Sequence, residues 1–367
     1  MKNRLIDLAI QIQQIPSPTF DEAKRAQFVY DKFQSESNTL VDIQQDAAGN
    51  VLARLPGKER VPALIISAHL DTVFPAETDL ASREEAGKIY GPGIGDNSLG
   101  VAGLFEILWT LREKGHTPTG DIWFVANTCE EGLGNLHGMK AVVERFGNDP
   151  KAYLVLEGTA FGYIYHKAIG VQRYKITTKT KGGHSWKDFG KPSAIHVLSD
   201  LIARIYAIKP PTQPYTTLNV GRVCGGTSIN TIAAEAWLEL DLRSEDNDAL
   251  NKLASQVFHL VESSRHTGVE VEIVQIGQRP SGEISPEDPI IHLAKSCLFQ
   301  QGYEPVLISG STDANIPLSK GCPSLVLGLT HGGGAHTIHE YIETSYLDAG
   351  LEHILQFINR LWNETSN

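Results

Sequence analysis

The stretch that decides the fold is Asp121-Ile-Trp-Phe-Val-Ala-Asn127, followed at once by Thr128-Cys-Glu-Glu-Gly132. Its apolar run, residues 122–126, predicts a buried strand. Two adjacent carboxylates, Glu130 and Glu131, come directly after this strand. Because neighbouring like charges repel, such a pair requires a cation or a shared proton. Together with two clusters upstream, His69-Leu-Asp71 and Gly93-Ile-Gly-Asp96, the pair predicts a metal-dependent hydrolase.

Other apolar runs extend the same pattern on both sides. They predict strands at residues 51–55, 63–67 and 152–156. Helical spacing of apolar residues predicts helices at residues 3–14, 21–33 and 100–114. Alternating strands and helices predict an α/β sandwich with a mostly parallel sheet. Binding sites in such sheets lie at the carboxyl ends of strands. His69, the Glu130–Glu131 pair and Glu157 each follow a predicted strand, so we expect one shared site.

A second domain is expected within the first. Predicted elements in residues 170–276 follow the order β-α-β-β-α-β, which is typical of a ferredoxin-like unit. Residues 277–288 are rich in Pro, Gly and Ser and predict a return linker. We expect residues 1–169 and 277–367 to form one catalytic, metal-binding domain into which residues 170–276 are inserted.

Composition and charge argue against several classes of protein. The 367 residues carry a formal net charge of −11, which argues against a general affinity for nucleic acid or anionic membranes. The four cysteines are far apart and form no C-x-x-C pair, so neither a disulfide framework nor a thiolate zinc site is predicted. The sequence shows no signal-peptide core and no apolar run long enough to span a bilayer. These features predict a cytoplasmic protein without nucleic-acid or membrane partners.

Two clusters upstream could complete a metal site. In His69-Leu-Asp71, the two polar side chains point the same way from an extended chain. His69 can bind a metal while Asp71 orients its ring, or the pair can be a strand-end His beside a turn Asp. Asp96 follows Gly93-Ile-Gly and precedes a predicted helix. Its carboxylate can bridge two cations, or it can be the N-cap of that helix.

Acids and histidines elsewhere add further candidates. Glu130 and Glu131 can have different roles, one as a general base and the other as a metal ligand. Glu157 follows an apolar run and is a candidate site residue, but it can also simply mark the point where the strand reaches solvent. His336 is one of three histidines in residues 331–341, and spacing does not decide which of them binds a metal.

Other hydrolytic chemistries lack their motifs. The chain contains no G-x-S-x-G elbow, no H-E-x-x-H and no P-loop. A cysteine protease based on Cys129 is disfavoured, because flanking acids raise the pKa of a thiol.

Together the motifs Ser67–Val73, Gly93–Asn97, Thr128–Gly132, Glu157 and His336 resemble, in this order, the M20 family of metallopeptidases and amidohydrolases. This family includes glutamate carboxypeptidase, peptidase T, succinyl-diaminopimelate desuccinylase, acetylornithine deacetylase and aminoacylases. The resemblance covers essentially the full length. It implies an α/β/α sandwich, a zinc-exopeptidase-like catalytic domain, with an inserted ferredoxin-like α+β domain that serves as lid and dimerisation surface.

The resemblance also implies roles for individual residues. It implies two Zn²⁺ per subunit, with Co²⁺ or Mn²⁺ as alternatives, held by His69, Asp96, Glu131, Glu157 and His336. Asp96 would bridge both ions, and its peptide bond to Asn97 is expected to be cis. Glu130 would be the general base, and Asp71 would orient His69.

Three residues of the inserted domain match substrate-binding positions of the family. His184, in Lys181-Gly-Gly-His-Ser185, would reach the active site of a partner subunit, so a homodimer is implied. Asn230 and Arg243 match polar groups that bind substrate. Arg243 suits a substrate carboxylate because its fork binds two oxygens at once, although it can also be a strand-end charge. Asp313 fits a family loop whose role is less defined.

One position favours cleavage beside a free carboxylate, which Arg243 could bind. Relatives that release N-terminal residues often carry Asp where this chain has Glu157, whereas carboxypeptidases and deacylases more often carry Glu. We therefore expect hydrolysis of an amide bond in a small peptide or N-acyl amino acid. The alternatives are an aminopeptidase or tripeptidase of the peptidase T kind, a non-catalytic binding protein with the same fold, and a mononuclear enzyme that uses another metal.

Overall fold

Helices and strands both occur in the first half of the chain in a computed structural model that describes residues 2–365. The helices are α1 (Lys2–Gln13), α2 (Ala23–Gln34), α3 (Leu99–Glu113), α4 (His137–Phe146), α5 (Ala194–Tyr206), α6 (Asn247–Ser263), α7 (Pro289–Gln300), α8 (Asn315–Ser319) and α9 (Leu347–Glu364). The strands are β1 (Val41–Gln45), β2 (Val51–Leu55), β3 (Leu64–His69), β4 (Arg83–Glu85), β5 (Lys88–Tyr90), β6 (Ile122–Asn127), β7 (Ala152–Glu157), β8 (Tyr163–Ala168), β9 (Gly170–Thr180), β10 (Gly183–His184), β11 (Thr216–Gly225), β12 (Thr231–Ile232), β13 (Glu235–Ser244), β14 (Val269–Arg279), β15 (Gly282–Glu283), β16 (Val306–Gly310), β17 (Ser324–Gly328), β18 (Gly332–Gly333) and β19 (Tyr341–Glu343).

The chain divides into two units, one of Met1–Ala168 with Glu283–Asn367 and the other of Ile169–Gly282. Among residues 2–365, no helix combines the length and the apolar composition needed to cross a membrane.

The larger unit is built on a nine-stranded sheet with the order β1-β2-β6-β3-β7-β17-β8-β15, and β16 pairs with β8. Its centre is parallel, from β6 through β3 and β7 to β17, while β1, β2 and β8 add antiparallel pairs. The sheet is therefore mixed, and the predicted parallel order holds for its central strands. Every residue of β3 and β6 is buried, which explains why these strands read as continuous apolar runs.

A small four-stranded sheet, β18-β19-β5-β4, was not predicted from the sequence. It pairs Tyr341 with Tyr90, two residues that lie far apart in the chain. The N–H of Gly91 also donates to the carbonyl oxygen of Glu340 at 2.9 Å. This pairing brings the histidine-rich segment 331–341 against the glycine-rich segment 91–96.

The smaller unit has the ferredoxin-like arrangement that the order of its elements predicts. Its four strands form an antiparallel sheet in the order β11-β13-β9-β14, and α5 and α6 bury apolar residues such as Leu201 and Val257. The predicted end at residue 276 is too early. Strand β14 continues to Arg279, which pairs with Val171 of β9, and the unit ends at Gly282.

His353 gives the larger unit a stability that depends on pH. The side chain is 1% exposed in α9, and its Nε2 donates to the carbonyl oxygen of Ala294 in α7 at 2.9 Å. Burial lowers the pKa of His353 from 6.5 to about 4, although the bond to Ala294 opposes the shift. The unfolded chain then binds more protons between these values, so the free energy of unfolding rises with pH across this window. Above pH 6.5 this contribution makes the free energy of unfolding about 3 kcal/mol higher than it is below pH 4.

We expect His353→Gln to flatten this pH dependence, because glutamine still donates to Ala294 but does not titrate. The measurement is urea unfolding of metal-depleted protein between pH 4.5 and 7. His292→Gln, which replaces an exposed histidine of α7, is the control and should keep the wild-type slope. An unchanged slope in His353→Gln would contradict the assignment.

Candidate metal centre

His69 lies at the end of β3 with its ring buried and aimed at two carboxylates. Its Nδ1 lies 3.0 Å from the carbonyl oxygen of Asp71, and since a carbonyl only accepts, Nδ1 carries a proton. Nε2 then faces Asp96 Oδ1 at 3.0 Å and Glu157 Oε2 at 3.9 Å. A nitrogen lone pair opposite carboxylate oxygens requires a proton or a cation between them.

The structure distinguishes the three histidines of residues 331–341. His336 has a left-handed backbone, with φ of 65°, and its Nε2 lies 3.1 Å from Asp96 Oδ2 and 3.3 Å from Glu131 Oε1. The ring of His331 instead packs against two aromatic side chains, those of Phe161 and Tyr346. His339 is exposed. His336 is therefore the histidine that meets the acidic residues.

These contacts form two ligand groups that share Asp96. One contains His69 and Glu157, and the other contains Glu131 and His336. Ligand atoms of His69, Asp96 and Glu131 all lie within 4.8 Å of one another. Ligands about 2.0–2.1 Å from a tetrahedral ion lie about 3.4 Å apart, close to the observed separations of 3.0 to 3.9 Å. The spacing therefore suits divalent cations, and we call these five residues the candidate metal centre.

The charges at the candidate metal centre are compatible with bound cations. Burial raises the pKa of Glu157 well above its usual range, and the negative charges of Asp96, Glu130 and Asp313 raise it further, against the effect of His69. Burial would raise the pKa of Asp96 as well, but hydrogen bonds from the two histidines lower it. The chain therefore concentrates more carboxylates here than two imidazoles can neutralise, and such a donor set suits a cation.

Asp71 does more than orient His69. Its carboxylate accepts the N–H groups of Glu130 and Glu131, each at 2.9 Å, and the hydroxyl of Thr19 at 2.9 Å. His69 Nδ1 lies 3.6 Å from Asp71 Oδ1 but 3.0 Å from the Asp71 carbonyl oxygen. The ring is thus oriented chiefly by the backbone of Asp71. Burial opposes ionisation, yet His69 and these two N–H groups lower the pKa of Asp71, so the carboxylate holds the Glu130–Glu131 turn.

Glu340 belongs to the site, although its sequence position alone gave it no role. It is 1% exposed and accepts the N–H groups of Gly93, Gly95 and Asp96 at 2.9, 2.7 and 2.8 Å. Burial and the charge of Asp96 raise the pKa of Glu340 to about 7, while these hydrogen bonds lower it. Glu340 shapes the loop that presents Asp96. The available signal was its position four residues after His336.

The contacts of Asn97 bear on the two predicted roles of Asp96, as a carboxylate that bridges two cations or as the N-cap of α3. The peptide bond between them is cis, as expected. Asn97 Oδ1 accepts the N–H of Gly100 in the first turn of α3 at 3.1 Å, and its Nδ2 donates to the carbonyl oxygen of Leu156 at 2.7 Å. The side chain of Asn97 thus accepts an N–H of the first turn of α3 and ties the loop to β7. The carboxylate of Asp96 is left to face the histidines.

Cys129 is not suited to nucleophilic catalysis. Burial, followed by the charge and hydrogen bonding of Glu22, raises its pKa to about 12. A thiolate, which is the reactive form, is therefore disfavoured near neutral pH, in agreement with the sequence argument against a cysteine protease.

In the smaller unit, two of the three predicted substrate contacts lie together. His184 pairs with Thr231 across β10 and β12, and the N–H of Ser185 donates to the carbonyl oxygen of Asn230 at 3.0 Å. Arg243 lies near the far end of β13, eight residues after Glu235, a distance of about 26 Å along an extended strand. Its Nε donates to Asp241 Oδ2 at 2.6 Å. The structure therefore brings His184 and Asn230 together and keeps Arg243 apart within one chain.

Comparison with known proteins shows the family of this chain. The model for peptidase family M20/M25/M40 matches residues 65–360. The chain belongs to this family. It is therefore an M20-type metallopeptidase or amidohydrolase, and the resemblance drawn from its motifs is confirmed.

Individual relatives span more than one activity. Succinyl-diaminopimelate desuccinylase of Corynebacterium glutamicum is 28% identical over 275 residues, which cover 72% of this chain and 73% of that protein. A tripeptidase of Staphylococcus aureus has a similar fold, with a TM-score of 0.83 and 24% identity over 98% of both chains. The YXEP protein of Bacillus subtilis, described as a dinuclear metal-binding M20 peptidase, has a TM-score of 0.71 and 18% identity over 99% of both chains. The two structures support the predicted fold.

Proposed function

We propose that this M20 protein hydrolyses an amide bond in a small peptide or N-acyl amino acid that carries a free carboxylate. The observation that carries the proposal is the sharing of Asp96 by two ligand groups, beside a turn that holds Glu130. One ion would be held by His69, Asp96 and Glu157, and the other by Asp96, Glu131 and His336. Histidine and carboxylate donors suit Zn²⁺, and also Co²⁺ or Mn²⁺.

Glu130 is the proposed general base. The bound ions would supply Lewis acidity toward the attacking water and the amide carbonyl. Glu130 takes a proton from that water and returns it to the leaving nitrogen. Its backbone N–H is fixed by the carboxylate of Asp71 at 2.9 Å, which restricts the positions that its own carboxylate can reach. His69 keeps its proton on Nδ1 because the Asp71 carbonyl accepts it, so Nε2 stays available as a ligand.

The smaller unit supplies the proposed substrate contacts. His184 and Asn230 lie on adjoining segments, whereas Arg243 lies at the far end of β13. This separation supports the proposal that one small substrate meets His184 from one subunit and Arg243 from another, in a homodimer. Arg243 would bind the substrate carboxylate through its fork, with Asp241 fixing the side chain.

Substrates blocked at one terminus test the proposal. We expect zinc-loaded protein to cleave N-acyl amino acids and short peptides with a free carboxylate, and to lose this activity when the carboxylate is amidated. Blocking the amine should have little effect, because Glu157 is the residue found more often in carboxypeptidases and deacylases. The measurement is kcat/KM across the matched panel.

The same panel decides between the two activities named among the relatives. A requirement for a free amine would favour an aminopeptidase or tripeptidase, the activity named for the structural relative from Staphylococcus aureus. Dependence on the carboxylate would agree with an activity like that of the desuccinylase. Failure of every substrate with two zinc ions bound would overturn the proposed function in favour of a binding protein.

A further inference from the structure

The turn between α1 and α2 contains a buried carboxylate that the proposed mechanism does not use. Glu22 directly precedes α2 and is 6% exposed. Its Oε1 accepts the N–H of Phe20 at 3.0 Å, the N–H of Cys129 at 3.1 Å and the thiol of Cys129 at 3.3 Å. Glu22 thus connects the N-terminal region to the segment that carries the proposed general base.

Cys129 needs such a constraint. Its φ of 57° lies in the left-handed region, which residues other than glycine adopt rarely and at a cost. A conformation of this kind persists when surrounding contacts enforce it. The hydrogen bonds that Glu22 accepts from the amide and the thiol of Cys129 are contacts of this kind, and the next residue along the chain is Glu130.

Two buried carboxylates hold three consecutive backbone N–H groups. Glu22 accepts from Cys129, and Asp71 accepts from Glu130 and Glu131 at 2.9 Å each. The turn at residues 17–22 also contacts Asp71, because the hydroxyl of Thr19 donates to Asp71 Oδ2 at 2.9 Å. This turn therefore supports residues 129–131, which we call the acidic segment, in two ways: directly through Glu22 and indirectly through Asp71.

We propose that Glu22 is a positioning residue for Glu130 and acts through Cys129. The proposal rests on the general-base role given to Glu130 above. Glu22 holds the left-handed backbone of Cys129, and this backbone sets the direction in which Glu130 leaves the main chain. A carboxylate oxygen accepts several hydrogen bonds at once, which is what the three donors of Phe20 and Cys129 require.

Two replacements of Glu22 test the proposal. Glu22→Ala removes the acceptor, and we expect kcat to fall about 10- to 100-fold, the range typical of residues that orient catalytic groups. KM and the zinc content per chain should stay at wild-type values. Glu22→Gln keeps an oxygen that accepts both backbone N–H groups, so it should retain most of the activity. Amide hydrogen exchange of residues 128–134 should become faster in Glu22→Ala and stay slow in Glu22→Gln.

Glu106→Ala is the matched control. Glu106 is also fully buried in the larger unit, but it pairs with Arg4 and makes no hydrogen bond to the acidic segment. Its loss should lower the melting temperature while kcat per folded, zinc-loaded chain remains unchanged. The proposal is overturned if Glu22→Ala keeps full kcat, if its loss equals that of Glu106→Ala, or if Glu22→Gln is as impaired as Glu22→Ala.

The outcome can be separated from failure of the proposed function. If wild-type protein cleaves no substrate of the panel, the general-base role fails, and hydrogen exchange still reports on the backbone of Cys129. Exchange in residues 128–134 that is the same in Glu22→Ala and wild-type protein would then overturn the positioning role. Faster exchange confined to this segment and to Phe20 would support it.

Discussion

Glu130→Gln should reduce kcat by about 10²- to 10⁴-fold, the contribution typical of a general base, while the protein stays folded and keeps its metal. The amide cannot take a proton from the attacking water, whereas its size and the backbone N–H bonded to Asp71 are unchanged. Glu130 is not one of the residues that form the two ligand groups. Steady-state kinetics, zinc content and the melting temperature of the same preparation are the required measurements.

Two variants make this result specific. Glu144→Gln replaces an exposed carboxylate of α4 in the same unit and should leave kcat unchanged. Glu131→Gln alters the adjacent acid and should instead reduce zinc binding, because Glu131 Oε1 lies 3.3 Å from His336 Nε2. Wild-type turnover in Glu130→Gln would remove Glu130 from the mechanism.

Asp96→Asn should have an effect of comparable size through a different cause. Asp96 is the residue that both ligand groups share, with its two oxygens 3.0 and 3.1 Å from the two histidines. An amide carries no charge and offers one oxygen, so we expect fewer than two zinc ions per chain. Turnover should fall more than about 100-fold, beyond the usual effect of residues that only orient ligands.

Thermal unfolding separates loss of metal from loss of fold in Asp96→Asn. A ligand at 100 times its Kd stabilises the folded state by about 2.7 kcal/mol, so chelation should lower the melting temperature of wild-type protein. The variant should lose this response. Its metal-free form should remain folded but lose some stability, because the hydrogen bonds from His69 and His336 favour the charged form of Asp96 and lower its pKa. Asp7→Asn, at an exposed position of α1, should retain the wild-type response to chelation.

Two bound zinc ions and normal turnover in Asp96→Asn would contradict the proposal that Asp96 bridges the ions. A large loss of stability in the metal-free variant would show instead that Asp96 is required for the fold.

Much of the fold could be predicted because its signals are local. Buried central strands such as β3 and β6 are continuous apolar runs, so their positions follow from composition along a few residues. Strand β1 was missed because its sequence, Val-Asp-Ile-Gln-Gln, is polar and largely exposed at the edge of the sheet. The smaller unit ends later than predicted because pairing with β9, rather than local composition, keeps β14 extended to Arg279.

The sequence by itself determined the chemical character of the site. The order of its motifs indicated the family. The positions of His69, Glu130 and Glu157 directly after predicted strands indicated that they would lie in one site. Tertiary structure alone decided that the ring of His331 packs against Phe161 and Tyr346 and that the side chain of Asn97 accepts an N–H of the first turn of α3. It also decided the placement of Glu22 against Cys129, of the Asp71 carboxylate against the Glu130–Glu131 turn, and of Glu340 under the loop of Asp96. The physical reason is that these contacts join residues up to 247 positions apart, and they exist only after β5 pairs with β19 and the N-terminal turn packs against the end of β6. Local periodicity carries no information about such partners.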